Sequence, residues 1–75
     1  MTNLTPASLA LFISFVKDAP NWNGQPLVDI TKEQRGNLSD LKKNKLLCTV
    51  KEERCDFVIF TDEGKELAAQ HGFIL

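Results

Sequence analysis

Apolar residues in the first quarter of the chain recur at helical spacing. Leu9, Phe12, Ile13 and Val16 follow steps of three and four, which marks one apolar face of a helix, and Leu11 and Phe15 widen it. Thr5 is suited to cap this helix, and Pro6 suits its first turn, where a missing N–H leaves no bond unmade. The helix is expected to end near Lys17 and Asp18, because Pro20 disfavours helical conformation at Ala19. Residues 18–26, DAPNWNGQP, then read as a loop punctuated by two prolines, a glycine and two asparagines. Trp22 in its middle is expected to plug the loop onto the core, with contact to a partner as the alternative. Leu27-Val28-Asp29-Ile30 is expected to form a short strand.

Thr31 opens a second helical pattern. Gln34, Leu38, Leu41 and Lys45 fall on one stripe, with Leu46 and Leu47 following. Lys32, Ser39 and Lys43 point the other way, Arg35 and Lys42 lie on one flank, and Gly36 is on the outer face. Glycine inside a helix costs about 1 kcal/mol relative to alanine. Either Gly36-Asn37 is a turn between two short helices, or one continuous helix keeps the glycine so that something can approach its backbone. The continuous helix is favoured, because the few residues before Gly36 make a poor free-standing helix.

The last third changes period. Residues 47–51 and 55–60 are rich in valine, isoleucine, phenylalanine, threonine and cysteine, and the polar Lys51-Glu52-Glu53-Arg54 lies between them. This predicts a β-hairpin. Thr61 caps a final helix whose first turn holds Asp62 and Glu63, matching the positive end of the helix dipole. Gly72 ends it. Phe73, Ile74 and Leu75 form an apolar tail, expected to fold back onto the first helix or, alternatively, to cross to a second copy as a weak homodimer. The expected class is α+β, a small winged-helix-like domain over residues 1–75 in the order helix, loop, short strand, helix, β-hairpin, helix. Phe12, Phe15, Leu38, Leu41, Val58, Phe60 and Leu67 are its expected core.

Length and composition narrow the setting. A chain of 75 residues accommodates one domain, and one of marginal stability. The longest apolar run, residues 9–16, is interrupted by Ser14 and is too short to span a bilayer. With no basic region followed by a cleavage-like site at the start, a cytoplasmic protein without membrane contact is expected. Net charge is −1, unlike the usual basic nucleic-acid binder, but it is unevenly spread. Residues 31–55 carry seven basic and four acidic side chains, and the remainder is acidic.

Candidate chemistry follows that asymmetry. Lys32, Arg35, Ser39, Lys42 and Lys43 share one broad outward surface of the second helix, with Lys51 and Arg54 on the hairpin. Lysine and arginine neutralise phosphates and release counterions, and Arg35 and Asn37 have the donors that read base edges. The competing reading is a solvated helix face, since acids are interleaved with the bases. A protein-interaction module that binds and modulates a larger nucleic-acid-handling protein is the alternative, with Trp22, Phe73, Ile74 and Leu75 as its apolar contacts. Enzymatic chemistry is not expected. His71 is the lone histidine, no nucleophile is placed beside it, and no glycine-rich phosphate loop follows a strand. Cys48 and Cys55 read as small half-buried strand residues. No zinc site, other metal or cofactor is expected, because zinc needs four ligands at short spacing.

The run LSDLKKNKLLCTVKEERCDFVIFTDEGKELA resembles the second half of a winged helix-turn-helix domain of the multiple-antibiotic-resistance-regulator type. In that family a recognition helix ends in a Leu-x-x-x-Gly-Leu-Ile-like step, and a two-stranded wing closes on a Leu-Thr-x-x-Gly-x-x-Leu helix start. Here the steps read Leu41-Lys42-Lys43-Asn44-Lys45-Leu46-Leu47 and Phe60-Thr61-Asp62-Glu63-Gly64-Lys65-Glu66-Leu67. The resemblance covers residues 38–68 and implies duplex DNA binding in transcription regulation. The chain departs from the family where a supporting helix is expected, since the DAPNWNGQPLVDI segment occupies that place. W-N-G-x-P with T-K-E-x-R-G-N-L also resembles small phage-borne proteins, a resemblance that implies no activity.

Overall fold

A computed structural model describes residues 4–22, 24–28, 30–53 and 55–75. The elements are α1 (Pro6–Asp18), a 3-10 turn (Ala19–Trp22), α2 (Lys32–Lys43), β1 (Leu47–Lys51), β2 (Asp56–Phe60) and α3 (Asp62–Gln70). This is the expected α+β order and is consistent with a small winged-helix-like arrangement. Each helix starts at a threonine in extended conformation, whose hydroxyl accepts an N–H from the first turn: Thr5 from Ser8, Thr31 from Gln34 and Thr61 from Gly64. At α2 the cap is reciprocal, because the Gln34 side chain accepts the Thr31 N–H at 3.0 Å. Gln34 on the second-helix stripe is therefore a capping residue. The helix runs through Gly36 without a break, so the continuous reading holds.

Two helices end in the same way. Beyond α2 the Leu46 N–H donates to the Leu41 carbonyl and the Lys45 N–H to the Lys42 carbonyl, at 3.1 and 3.0 Å. Beyond α3 the Phe73 N–H donates to the Ala68 carbonyl and the Gly72 N–H to the Ala69 carbonyl, at 2.9 and 3.0 Å. These are Schellman caps, and each needs a left-handed residue at its centre. Gly72 supplies it with φ 86°, whereas at α2 it is Lys45, with φ 59°. Lys45 is thus not on the helical stripe expected for it. It is exposed and lies past the helix end.

β1 and β2 pair antiparallel, Leu47 opposite Phe60 through Lys51 opposite Asp56. The short strand expected over residues 27–30 contracts to a single bridge, Leu27 to Phe57. Asp29, within that span, lies outside the described residues. The bridge is held by Val28 N–H to the Asp56 carbonyl and Val58 N–H to the Pro26 carbonyl, both 2.8 Å. Pro26 is fully buried and donates nothing, which confines this segment to an edge of the sheet.

The core joins α1, α2, the hairpin and α3: Leu11, Phe12, Phe15, Val16, Ala19, Leu38, Leu41, Leu46, Leu47, Val58, Phe60 and Ala68. Phe12 meets Phe60 edge to face with ring centroids 5.7 Å apart. The buried face of α1 is rotated from the expected one. Ser8, Leu11, Phe12, Phe15 and Val16 point inward, while Leu9 and Ile13 are half-buried at its border. Ser8 goes inside because its hydroxyl has partners, receiving the Thr5 hydroxyl and donating to Asn37 Oδ1. Leu67 is half-buried rather than mostly buried, and Ala68 occupies the inner position of α3. A corner locks α2, the hairpin and α3 together. Thr61 donates its hydroxyl to the Lys45 carbonyl and its N–H to the Leu46 carbonyl. Gly64 sits so close that a Cβ on it would lie 1.9 Å from the Leu46 carbonyl oxygen.

Candidate nucleic-acid interface

α2 is amphipathic because its apolar residues are few and aligned. Leu38 and Leu41 are buried, and every residue expected to point outward is exposed: Lys32, Arg35, Ser39, Lys42 and Lys43. They cover three turns of one surface. Gly36 is set among them, and a Cβ there would meet nothing within 4 Å. Among the described residues no neighbouring element explains the glycine, so the helix surface there is open. Glu33 in the first turn and Lys42 and Lys43 in the last also match the helix dipole, which accounts for part of this charge order without any ligand.

Asn37 does not belong to that surface. It is half-buried and faces α1, where its side-chain oxygen accepts the Ser8 hydroxyl at 3.3 Å. A base-reading role for it is therefore corrected to a helix–helix contact. Asp40 is also half-buried. One carboxylate oxygen lies 3.5 Å from the Asn44 amide, and the other is buried without a partner among the described residues. This places the acids Glu33 and Asp40 on the flank away from Arg35 and Lys42.

The hairpin does not extend the basic surface continuously. Lys51 is exposed at the far end of β1, roughly 13 Å along the strand from Leu47 at ~3.3 Å per residue. It stands opposite Asp56 and beside Glu52 and Glu53, so its local surroundings are acidic. Arg54 lies outside the described residues.

The other face of the hairpin carries what the sequence pattern did not bring together. Alternation puts Leu47, Thr49 and Lys51 on the core side and Cys48 and Val50 on the outer side, opposite Ile59 and Phe57. Leu27 bridges to Phe57 and shares that outer side. Trp22 is 41 % exposed, so it does not plug the loop onto the core as expected. Its ring leans on Phe57 with centroids 6.4 Å apart, and Ala19 and Pro26 anchor the loop instead. Cys48 is exposed rather than half-buried, and Cys55 is half-buried just ahead of β2. The tail folds back, but onto a different place from the first helix. Phe73 closes the α3 cap against the core, Leu75 shares a depression with Gly24, Gln25, Ile59, Phe60 and Lys65, and Ile74 is 98 % exposed.

Among the described residues no helix is long and apolar enough to cross a membrane, and no three metal-ligating side chains converge. No protein-family model matches the chain, and neither curated proteins nor solved structures include a match.

Proposed function

We propose that the chain is a small non-enzymatic, winged-helix-like protein of the cytoplasm that binds duplex nucleic acid and serves transcription regulation. The outer face of α2 makes the contact. The observation that supports the reading is that face itself: Lys32, Arg35, Lys42 and Lys43 exposed over three turns around Gly36, with Ser39 among them. Cations in this pattern displace phosphate counterions, Ser39 adds a neutral donor, and Gly36 lets a phosphate backbone approach the helix axis closely. With Asn37 turned inward, base reading falls to Arg35 alone, so the expected binding is weak in sequence preference and strong in salt dependence.

Fluorescence anisotropy of a labelled duplex at two salt concentrations tests this. Affinity should fall as salt rises. Replacing Lys32, Arg35, Lys42 and Lys43 together with alanine should flatten the slope of log affinity against log salt by roughly 0.9 for each lost phosphate contact. No binding to any duplex at low salt overturns the proposal and leaves a protein-directed role for the chain.

A further inference from the structure

On the premise that α2 is the nucleic-acid contact, we propose that it docks along the phosphates of one strand of the duplex and stays outside the major groove. Lys32, Gly36, Ser39 and Lys43 are the line of contact. At about 100° and 1.5 Å per residue they fall in one sector roughly 60° wide, spread over about 16 Å of the helix. All four are exposed. The row has a cation at each end, a hydroxyl donor near its middle, and bare backbone at Gly36, where a Cβ would meet nothing within 4 Å. A sugar-phosphate strand lying on this row reaches the helix backbone at Gly36 while Lys32 and Lys43 each take a phosphate. Arg35 and Lys42 flank the row on one side, within reach of the same strand. Lys45, exposed just past the helix end, adds a further cation.

The two flanks of α2 decide against the groove. A helix about 10–12 Å across fills a major groove about 12 Å wide, so each of its flanks faces the phosphates of one strand. Here the flanks differ in sign. Arg35 and Lys42 stand on one and Glu33 and Asp40 on the other, roughly 160° apart around the axis. With Lys32 and Lys43 in the row, these are all the charges of the helix. Glu33 is exposed, and Asp40 is half-buried with one oxygen unpartnered among the described residues. A second strand would meet these two carboxylates. Beyond them lies α1, reached through the Ser8–Asn37 hydrogen bond, and no charged residue occurs between Thr5 and Val16. The hairpin end adds no surplus of cations either, since Lys51-Glu52-Glu53-Arg54 is charge-balanced. One strand therefore meets four cations with the acids turned away, whereas two strands meet both signs. In this docking Arg35 faces a phosphate, and the weak sequence preference it would have in a groove disappears.

Fluorescence anisotropy with chemically modified DNA duplexes tests the docking. Glucosyl groups on 5-hydroxymethylcytosine fill the major groove and should leave the affinity within about twofold. Neutralising one strand with methylphosphonates leaves the other free to bind, so affinity should fall by no more than about threefold with the salt slope kept. Neutralising both strands should abolish binding. Glu33→Gln should alter affinity by less than about twofold at 0.1 M salt, because its side chain faces away from the strand and charges beyond a Debye length of about 10 Å are screened. A helix seated in the groove behaves differently. It loses binding when the groove is filled, loses about tenfold or more when either strand alone is neutralised, and gains affinity with Glu33→Gln. Any of these three results overturns the single-strand docking while leaving nucleic-acid binding in place. No binding to the unmodified duplex at low salt overturns both.

Discussion

Gly36 and Gly64 are both glycines inside helices, and the structure gives them opposite surroundings. At Gly64 a Cβ would collide with the backbone of Leu46, whereas at Gly36 a Cβ would meet nothing within 4 Å. Gly64 is required by the fold. It lets the first turn of α3 lie against the chain where α2 passes into β1, at the corner that Thr61 ties to Lys45 and Leu46. Gly36 weakens the helix that contains it and returns nothing among the described residues. A cost without an internal return fits a residue kept for something outside, which here is the ligand proposed for the α2 face.

Substitution tests the contrast. Gly64→Ala should have the largest effect, a loss of about 4 kcal/mol seen in urea unfolding, because the obstructing atom is backbone and cannot rotate away. A loss below about 1 kcal/mol would mean that the corner yields easily. Leu41→Ala, in the same helix as Gly36 but on its fully buried side, should cost about 3 kcal/mol, enough to threaten a domain of this size. An unchanged midpoint would place the helix in the wrong phase.

Smaller effects should carry the opposite sign. Lys45→Gly relieves a left-handed lysine in a cap that α3 builds with Gly72, and should raise stability by about 1 kcal/mol. A loss instead would show that the lysine stem contributes packing worth more than the strain. Gly36→Ala should also stabilise, by roughly 0.4–1 kcal/mol in thermal unfolding. The same variant should weaken duplex binding if the glycine admits a phosphate backbone. Stability and affinity rising together would remove the functional explanation for Gly36.

Most elements could be read from local pattern. Threonine caps announce all three helices, and the change from helical to alternating period marks the hairpin; α1 ends at Asp18 as expected, but Pro20 does not keep Ala19 out of helical conformation, since Ala19 has φ −52° and ψ −43° and opens the 3-10 turn. The basic α2 surface was equally legible, because leucines at 38 and 41 define the inner side and place Lys32, Ser39 and Lys43 opposite. Errors arose where a neighbour outside the local window decided the outcome. Asn37 has the groups to read a base edge, but Ser8, distant in sequence, supplies its partner. The loop pattern points Trp22 to the core or to a partner, and its ring finds Phe57 on the far side of the sheet.

The same division runs through the whole molecule. Capping, periodicity and turn chemistry act over three or four residues, so the order of secondary elements and the inner stripe of α2 are already written in the chain. Which side of α1 turns inward, why Gly64 admits no side chain, and the gathering of Leu27, Val50, Phe57, Ile59, Trp22 and Leu75 on one face all depend on elements far apart in sequence. Such contacts are set by close packing of whole layers, which no local pattern of polar and apolar residues specifies.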